Sequence, residues 1–334
     1  MTAPLPAERD NERGAALLSV LLLVAVMAVL AAVMLDRLNL ATRLAGNAQG
    51  MTRARLIAMS AESAALARLQ ALVSANGDRT VDPAGLLSRD LPVPLAGATV
   101  TVRIDDAGNC FNVNSLVEQG IDGRLTLRVA ALTQLRALMA QVGIEANEGA
   151  RLSDAMADWI DSDSVPLTNG AEDETYRALP VPHRTANRLI VDVTELRAVR
   201  GMTGQLYQRL RPWLCALPAP DLSPIQLNTL RLDQAPLLVM LAPQAIRPDR
   251  ARAVIGARPR LGWGSSADAM RMLGVGGAGV SAVPVGQLTV RSRWFLLTQT
   301  VRVASTTLEE QALVDTGVTP ARIAFRSWGD ETGR

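Results

Sequence analysis

What the 334-residue chain lacks bounds it before any motif is read. It has no lysine: its 34 basic residues are all arginine and stand against 32 acidic ones, for a net charge of +2. A chain so close to neutral has no broad basic footprint for a polyanion such as nucleic acid. One histidine, His183, and two distant cysteines, Cys110 and Cys215, do not make the usual zinc ligand set. The histidine sits in the polar string Pro182-His183-Arg184-Thr185 and reads as a surface side chain, with no Gly-x-Ser-x-Gly elbow to accompany it. Enzyme readings fail on these absences. Aromatic residues make up only 3% of the chain while Ala, Val and Leu abound, so helices packed through small residues are expected. A chain of this length buries one large core or two modest ones.

What is present begins with an apolar run. From Ala15 to Leu35 the only polar side chain is Ser19, and a run of about 20 apolar residues is what a helix needs to cross a bilayer. Gly14 abuts it, behind a leader carrying Arg9, Asp10, Glu12 and Arg13. An ordinary secretory signal and a plain anchor compete for this stretch. The charge-balanced leader, with Arg37 and Arg43 on the far side, leaves orientation open. The helical pattern then continues. Met51, Ala54, Ala58, Ala61, Ala65, Leu69 and Leu72 step by three and four onto one face, and Asn76-Gly77-Asp78 supplies a stop. One helix over 15–75, roughly 90 Å long at 1.5 Å per residue, is expected, with bending or melting at Gly46 and Gly50.

Residues 77–98 are rich in Pro and Gly and read as a loop. Residues 98–104 alternate and are β-branched, hence a strand, turned by Asp105-Asp106-Ala107-Gly108. The string Cys110-Phe111-Asn112-Val113-Asn114-Ser115-Leu116 follows, whose Asn and Ser suit helix capping. Helix-type segments are expected over 125–142, 146–160, 193–199 and 203–214. Leu227-Asn228-Thr229-Leu230 weakly echoes Asn114-Ser115-Leu116 and precedes further helical segments over 236–241, 248–254 and 266–273. Alternating strands return over 287–303 and 321–328. A sheet begun at 98 and resumed at 287 makes the helical block an insertion. Two cysteines in an exported body suggest one disulfide, with two unpaired buried thiols as the alternative.

Three further stretches invite chemistry. Gly274-Val275-Gly276-Gly277-Ala278-Gly279 matches a dinucleotide fingerprint by letters, but it follows a helix-type segment and Pro284 forbids a long helix after it, so it reads as a return loop. The run from Glu195 through Gly201 to Thr203 resembles a helix-hairpin-helix turn with Arg184, Arg188, Arg197 and Arg200 nearby. Such a turn can grip phosphates, and it is equally a packing unit; a membrane-anchored periplasmic helix-hairpin-helix binding module, for nucleic acid or protein, is the alternative function. The third stretch runs from Asp158 to Glu174. Asp161, Asp163, Glu172, Asp173 and Glu174 put several carboxylates into one loop, a density of hard oxygen donors that fits Ca²⁺. Val165 and Pro166 break the EF-hand pattern, and a merely solvated acidic loop is the competing reading.

Taken together, these motifs resemble one family over nearly the whole chain. The junction of Gly14 with the apolar run resembles a type IV prepilin leader, and Ser19 stands at the fifth mature position, where most pilins carry Glu. That departure, the Cys110 string and the Asp-Trp-x-Asp-x-Asp segment at 158–163 are similar to the K-type minor pseudopilin of the type II secretion system (general secretion pathway protein K). The resemblance implies an α+β, type IV pilin-like fold, a long N-terminal helix packed on an antiparallel sheet with a large inserted all-α domain. Its parts would be a prepilin leader at 1–14, the transmembrane pilin helix at 15–76, a sheet domain at 77–115 and 284–334, and the insertion at 116–283 with two SAM-like or helix-hairpin-helix-like subdomains. It further implies cleavage after Gly14 by prepilin peptidase and N-methylation of Ala15. A structural calcium would be bound by Asp161, Asp163, Glu172 and Asp173, with the Val165 carbonyl and Asn187 as further candidates. The implied role is a non-catalytic tip subunit of the periplasmic pseudopilus, needed for exoprotein export. It would be anchored once in the bacterial inner membrane with its globular domain in the periplasm, and assembled with the I- and J-type minor pseudopilins and the major pseudopilin, with no nucleic acid partner. A buried carboxylate without its cation costs on the order of several kcal/mol, so a subunit with no neighbour above it is better served by Ser19.

Overall fold

In the computed structural model the described residues are 9–95, 97–275, 283–284 and 286–329; most of the leader and the Gly276, Gly277 and Gly279 positions of the glycine string lie outside them. Helix α1 spans Arg9–Ser74, 66 residues and so roughly 100 Å. It begins inside the leader, so Gly14 is a helical residue rather than a junction ahead of the helix. Neither Gly46 nor Gly50 melts it. Two glycines at up to about 1 kcal/mol each are a small charge on so long a cooperative element. At position 50 the missing side chain has a use as well, because a Cβ there would collide with Thr306 Oγ1. The first part of α1 is exposed throughout, Leu17, Leu22 and Leu30 among others, and this helix is long and apolar enough to cross a membrane. Beyond Met51 one stripe turns inward: Ala54, Ala58, Ala61, Ala65, Leu69 and Val73 are buried.

The loop expected over 77–98 contains a strand, β1 (Leu91–Leu95), paired antiparallel with β2 (Ala98–Asp106). Its prolines misled because β1 is an edge: Leu91, Val93 and Leu95 are half-buried while Pro92 and Pro94 are exposed, where a missing N–H costs no ladder bond. The insertion then runs through β3 (Phe111–Asn112), a hairpin of β4 (Val117–Gln119) and β5 (Leu125–Leu127), and helices α2 (Val129–Gln141), α3 (Ala146–Asp158), α4 (Asp173–Arg177) and α5 (Gly204–Leu210). It continues with β6 (Leu214–Cys215), β7 (Ile225–Gln226), α6 (Ala235–Val239), α7 (Pro248–Gly256), α8 (Ser266–Leu273) and β8 (Leu288–Thr289). The helix expected from 125 thus starts four residues later, since Leu125–Leu127 pairs with Val117–Gln119. The 193–199 segment is a 3-10 helix, Val193–Ala198. The sheet resumes with β9 (Trp294–Val303), β10 (Thr306–Asp315) and β11 (Arg322–Trp328), in the order β1-β2-β9-β10-β11, antiparallel throughout.

Two cores follow. In the first, the α1 stripe packs on Val100, Val102, Ile104, Phe295, Leu297, Val301, Leu308, Ala312 and Val314 of the sheet. β10 also turns Glu310 inward, 1% exposed, beside Glu62 of α1 at 5%. Arg326 of β11 serves both carboxylates at 2.8 Å, and Gln299 of β9 donates to Glu310 and to the Ala58 carbonyl. The second core fills the insertion around Phe111, Leu116, Leu135, Leu138, Met156, Ile160 and Tyr176.

Buried polar groups and a disulfide join the bodies. Asp106 at the end of β2 accepts from Ser292, Thr229 and the Gly108 amide, and burial raises its carboxyl. Asn114 is not a cap: fully buried, it donates to the Ile190 and Leu217 carbonyls at 2.8 Å and accepts from Ile190 N at 2.7 Å, tying segments far apart in sequence. Cys110 and Cys215 are bonded with Cα atoms 5.8 Å apart, beside the parallel pairing of Phe111–Asn112 with Leu214–Cys215.

Candidate metal centre

Helix α3 ends in a ladder of acids. Asp154, Asp158 and, just past the helix, Asp161 are spaced by four and three residues, which sets them along one face. The first two hold the following loop. Asp154 accepts from Asn169 through both the backbone N at 3.3 Å and Nδ2 at 3.0 Å, and pairs with Arg136. Asp158, fully buried, accepts from Leu167 N at 3.2 Å and Ala171 N at 2.8 Å. The approach is so close that a Cβ on Gly170 would collide with Asp158 Oδ2.

The loop so pinned brings three carboxylates together. One oxygen each from Asp161, Asp163 and Glu172 lie within 4.8 Å of one another. Asp161 is 3% exposed and Glu172 5%, while Asp163 is open to solvent. Asp161 Oδ1 and both Glu172 oxygens are buried with no hydrogen-bond partner among the described residues. Burial, then the charges of Asp163, Asp158 and Glu172, push Asp161 to about 8. Burial and Asp158 push Glu172 to about 7, and burial raises Asp158 to about 6. Unsatisfied buried anions are costly. A divalent cation offers what this group lacks, and an all-oxygen donor set of this kind suits Ca²⁺.

The other candidate ligands are placed differently. The Asp173 carboxylate is engaged by Thr185 N and Oγ1, both at 3.0 Å, and by Arg177 at 2.6 Å, and it is not one of the three that converge. Val165 donates its N–H to Asp163 Oδ1 at 2.7 Å and so positions that carboxylate. Asn187, at φ +46°, donates its N–H to the Trp159 carbonyl. The sequence reading includes Asp158 in the acidic stretch but not its loop-holding role, and it passes over Asp154, although their spacing to Asp161 is the available signal.

His183 is a correction. It is half-buried, 5.1 Å from Tyr176 and 5.9 Å from Trp159 between ring centroids, because its loop folds back over the aromatic pair. The helix-hairpin-helix turn forms at Gly201, φ +84°, and Thr203 caps α5 by accepting from Leu206 N. Three of its four arginines are engaged: Arg188 with Glu195 at 3.0 Å, Arg184 near Asp173, Arg197 over Tyr207. At the N-terminus, Gly14 is exposed and Ser19 donates to the Ala15 carbonyl at 2.9 Å within the helix.

A long, half-exposed helix laid on an antiparallel sheet defines a pilin-like protein, here with a helical body inserted between the second and third strands of the sheet. Family models described as type II secretion system (T2SS), protein K, match residues 109–219 and 225–291. Type II secretion system protein K of Pectobacterium carotovorum subsp. carotovorum is 35% identical over 323 residues, covering 96% of this chain and 98% of the relative. The protein of the same name from Aeromonas hydrophila is 38% identical over 260 residues, 76% of this chain and 78% of its own. A chain of the GspK-GspI-GspJ complex from enterotoxigenic Escherichia coli superposes with a TM-score of 0.69 at 28% identity, covering 84% of this chain and 98% of that one. The chain belongs to the type II secretion system protein K family, and its role is that of a minor pseudopilin.

Proposed function

We propose that the protein is the non-catalytic tip subunit of the pseudopilus, processed by prepilin peptidase after Gly14 and N-methylated at Ala15. On this reading it assembles with the I- and J-type minor pseudopilins above the major pseudopilin, and is needed for exoprotein export. The observation that carries the reading is α1 itself. Its apolar half is exposed and its Ala-striped half is buried on the sheet, so one helix serves first as an inner-membrane anchor and then as a filament core. Gly14 lies in that helix without a neighbour within 4 Å of a would-be Cβ, and glycine makes local unwinding for cleavage inexpensive. Ser19 satisfies its own hydroxyl within the helix and asks nothing of a subunit above. The inserted body hinders a subunit from stacking over it. The partners follow from the complex in which the structural neighbour was solved.

The same reading gives the insertion a structural Ca²⁺ held by Asp161, Asp163 and Glu172, which would neutralise their mutual repulsion while Asp154 and Asp158 hold the loop between them. The unpartnered oxygens of Asp161 and Glu172 support it.

The tip assignment is tested by a Ser19→Glu variant and by deletion of residues 117–282, read as pseudopilus length and exoprotein secretion. Altered length and impaired secretion are expected. Unchanged length and secretion in both would overturn it.

A further inference from the structure

A cavity of about 520 Å³ lies between α3, the loop that Asp154 and Asp158 pin, and the hairpin turn at Gly201. Arg151 of α3 and Arg200 of the turn both line it, together with Thr168, Asn169 and Gly201, and among the described residues no carboxylate does. Both arginines are exposed and neither makes a salt bridge among the described residues, Arg151 acting on Glu145 only from a distance, where it helps to lower that carboxyl. The Thr168 and Gly201 amides likewise have no backbone partner among the described residues. The walls are held in advance: Asn169 by Asp154, Ala171 by Asp158, and Arg200 through its backbone N–H to the Tyr176 hydroxyl at 3.0 Å. Two guanidiniums and uncommitted amides on fixed walls form a site for an oxyanion, since preorganisation removes the ordering cost of binding.

We propose that this cavity is a docking notch for a carboxylate side chain of an acidic peptide segment on another protein. A nucleic acid backbone fits less well. Contact with a phosphate chain needs a run of available cations, whereas Arg188 is paired with Glu195 and Arg184 lies 3.9 Å from Asp173, which also pairs with Arg177. The notch does not depend on calcium, because protein carboxylates alone hold its loop wall.

The test uses the full-length protein in detergent, titrated with a short capped peptide carrying adjacent glutamates, with its glutamine counterpart, with inorganic phosphate and with a short DNA duplex. The glutamate peptide should bind and the glutamine peptide should not. Arg151→Gln and Arg200→Gln should each weaken binding about tenfold, the effect of losing one charge-assisted contact. Arg188→Gln, outside the cavity, should leave it unchanged, as should removal of calcium with a chelator. Unaltered thermal unfolding of the two variants, whose side chains are exposed, shows that they are folded. Equal binding of both peptides, or insensitivity to both substitutions, would overturn the proposal. So would phosphate binding as tightly as the glutamate peptide, or DNA binding more tightly.

Discussion

Calcium binding at the Asp161–Asp163–Glu172 group should release protons, and the amount can be worked out. With Asp161 near 8 and Glu172 near 7, about nine-tenths of the first and about half of the second are protonated at pH 7 without the ion. The ion accepts only the ionised forms, so about 1.4 protons should leave per calcium bound at pH 7. The release should grow as pH falls, weakening apparent affinity on the order of fifty-fold between pH 7 and pH 6. The assay is titration calorimetry on the chelator-stripped protein in buffers of different ionisation enthalpy, where the slope of apparent heat against buffer heat counts protons. Asp161→Asn should bind calcium more weakly and lose most of the release. A count near zero, or an affinity flat from pH 6 to 8, would mean that these carboxyls are ionised before the ion arrives, and the argument from their burial would be wrong.

Two further predictions concern the frame that carries this site. Arg326→Ala leaves Glu62 and Glu310 buried without their cation and should cost about 3–5 kcal/mol in unfolding free energy, measured by denaturant titration. Burial and the adjacent Glu62 raise the Glu310 carboxyl above the ordinary glutamate range, so the folded form holds a proton that the unfolded form gives up. That contribution is complete below the ordinary glutamate value and is lost as pH rises through the raised one; Glu310→Gln should flatten this part of the stability profile, and an unchanged profile would refute the assignment. The Cys110–Cys215 bond spans 105 residues, for which the chain-entropy account gives about 4–5 kcal/mol. Chemical denaturation of a Cys110→Ser/Cys215→Ser variant should show a loss of that order.

The sequence made some of this legible and hid the rest for identifiable reasons. The Ala stripe of α1 was readable because a helix face is a local pattern of threes and fours. β1 was hidden because Pro92 and Pro94 signal a loop unless one knows that the strand is an edge. No strand was expected over 306–315, where Glu309, Glu310 and Gln311 interrupt the apolar alternation; Glu310 points inward only because Arg326 waits on the next strand, which is a tertiary fact. The density of acids over 158–174 was plain, but density does not say which way each carboxylate points. Asp161, Asp163 and Glu172 converge, whereas Asp173 is engaged by Thr185 and Arg177 from beyond the loop. Asn114 read as a cap because capping is the local role of asparagine, and its bonds to Ile190 and Leu217 could not be foreseen from neighbours in sequence.

The measurement that bears most directly on the pseudopilin account is the intact mass and N-terminal sequence of the protein purified from cells with and without prepilin peptidase. The account predicts a chain beginning at N-methylated Ala15 when the peptidase is present and an uncut leader when it is absent. A start near residue 32, or the same N-terminus in both strains, would contradict it.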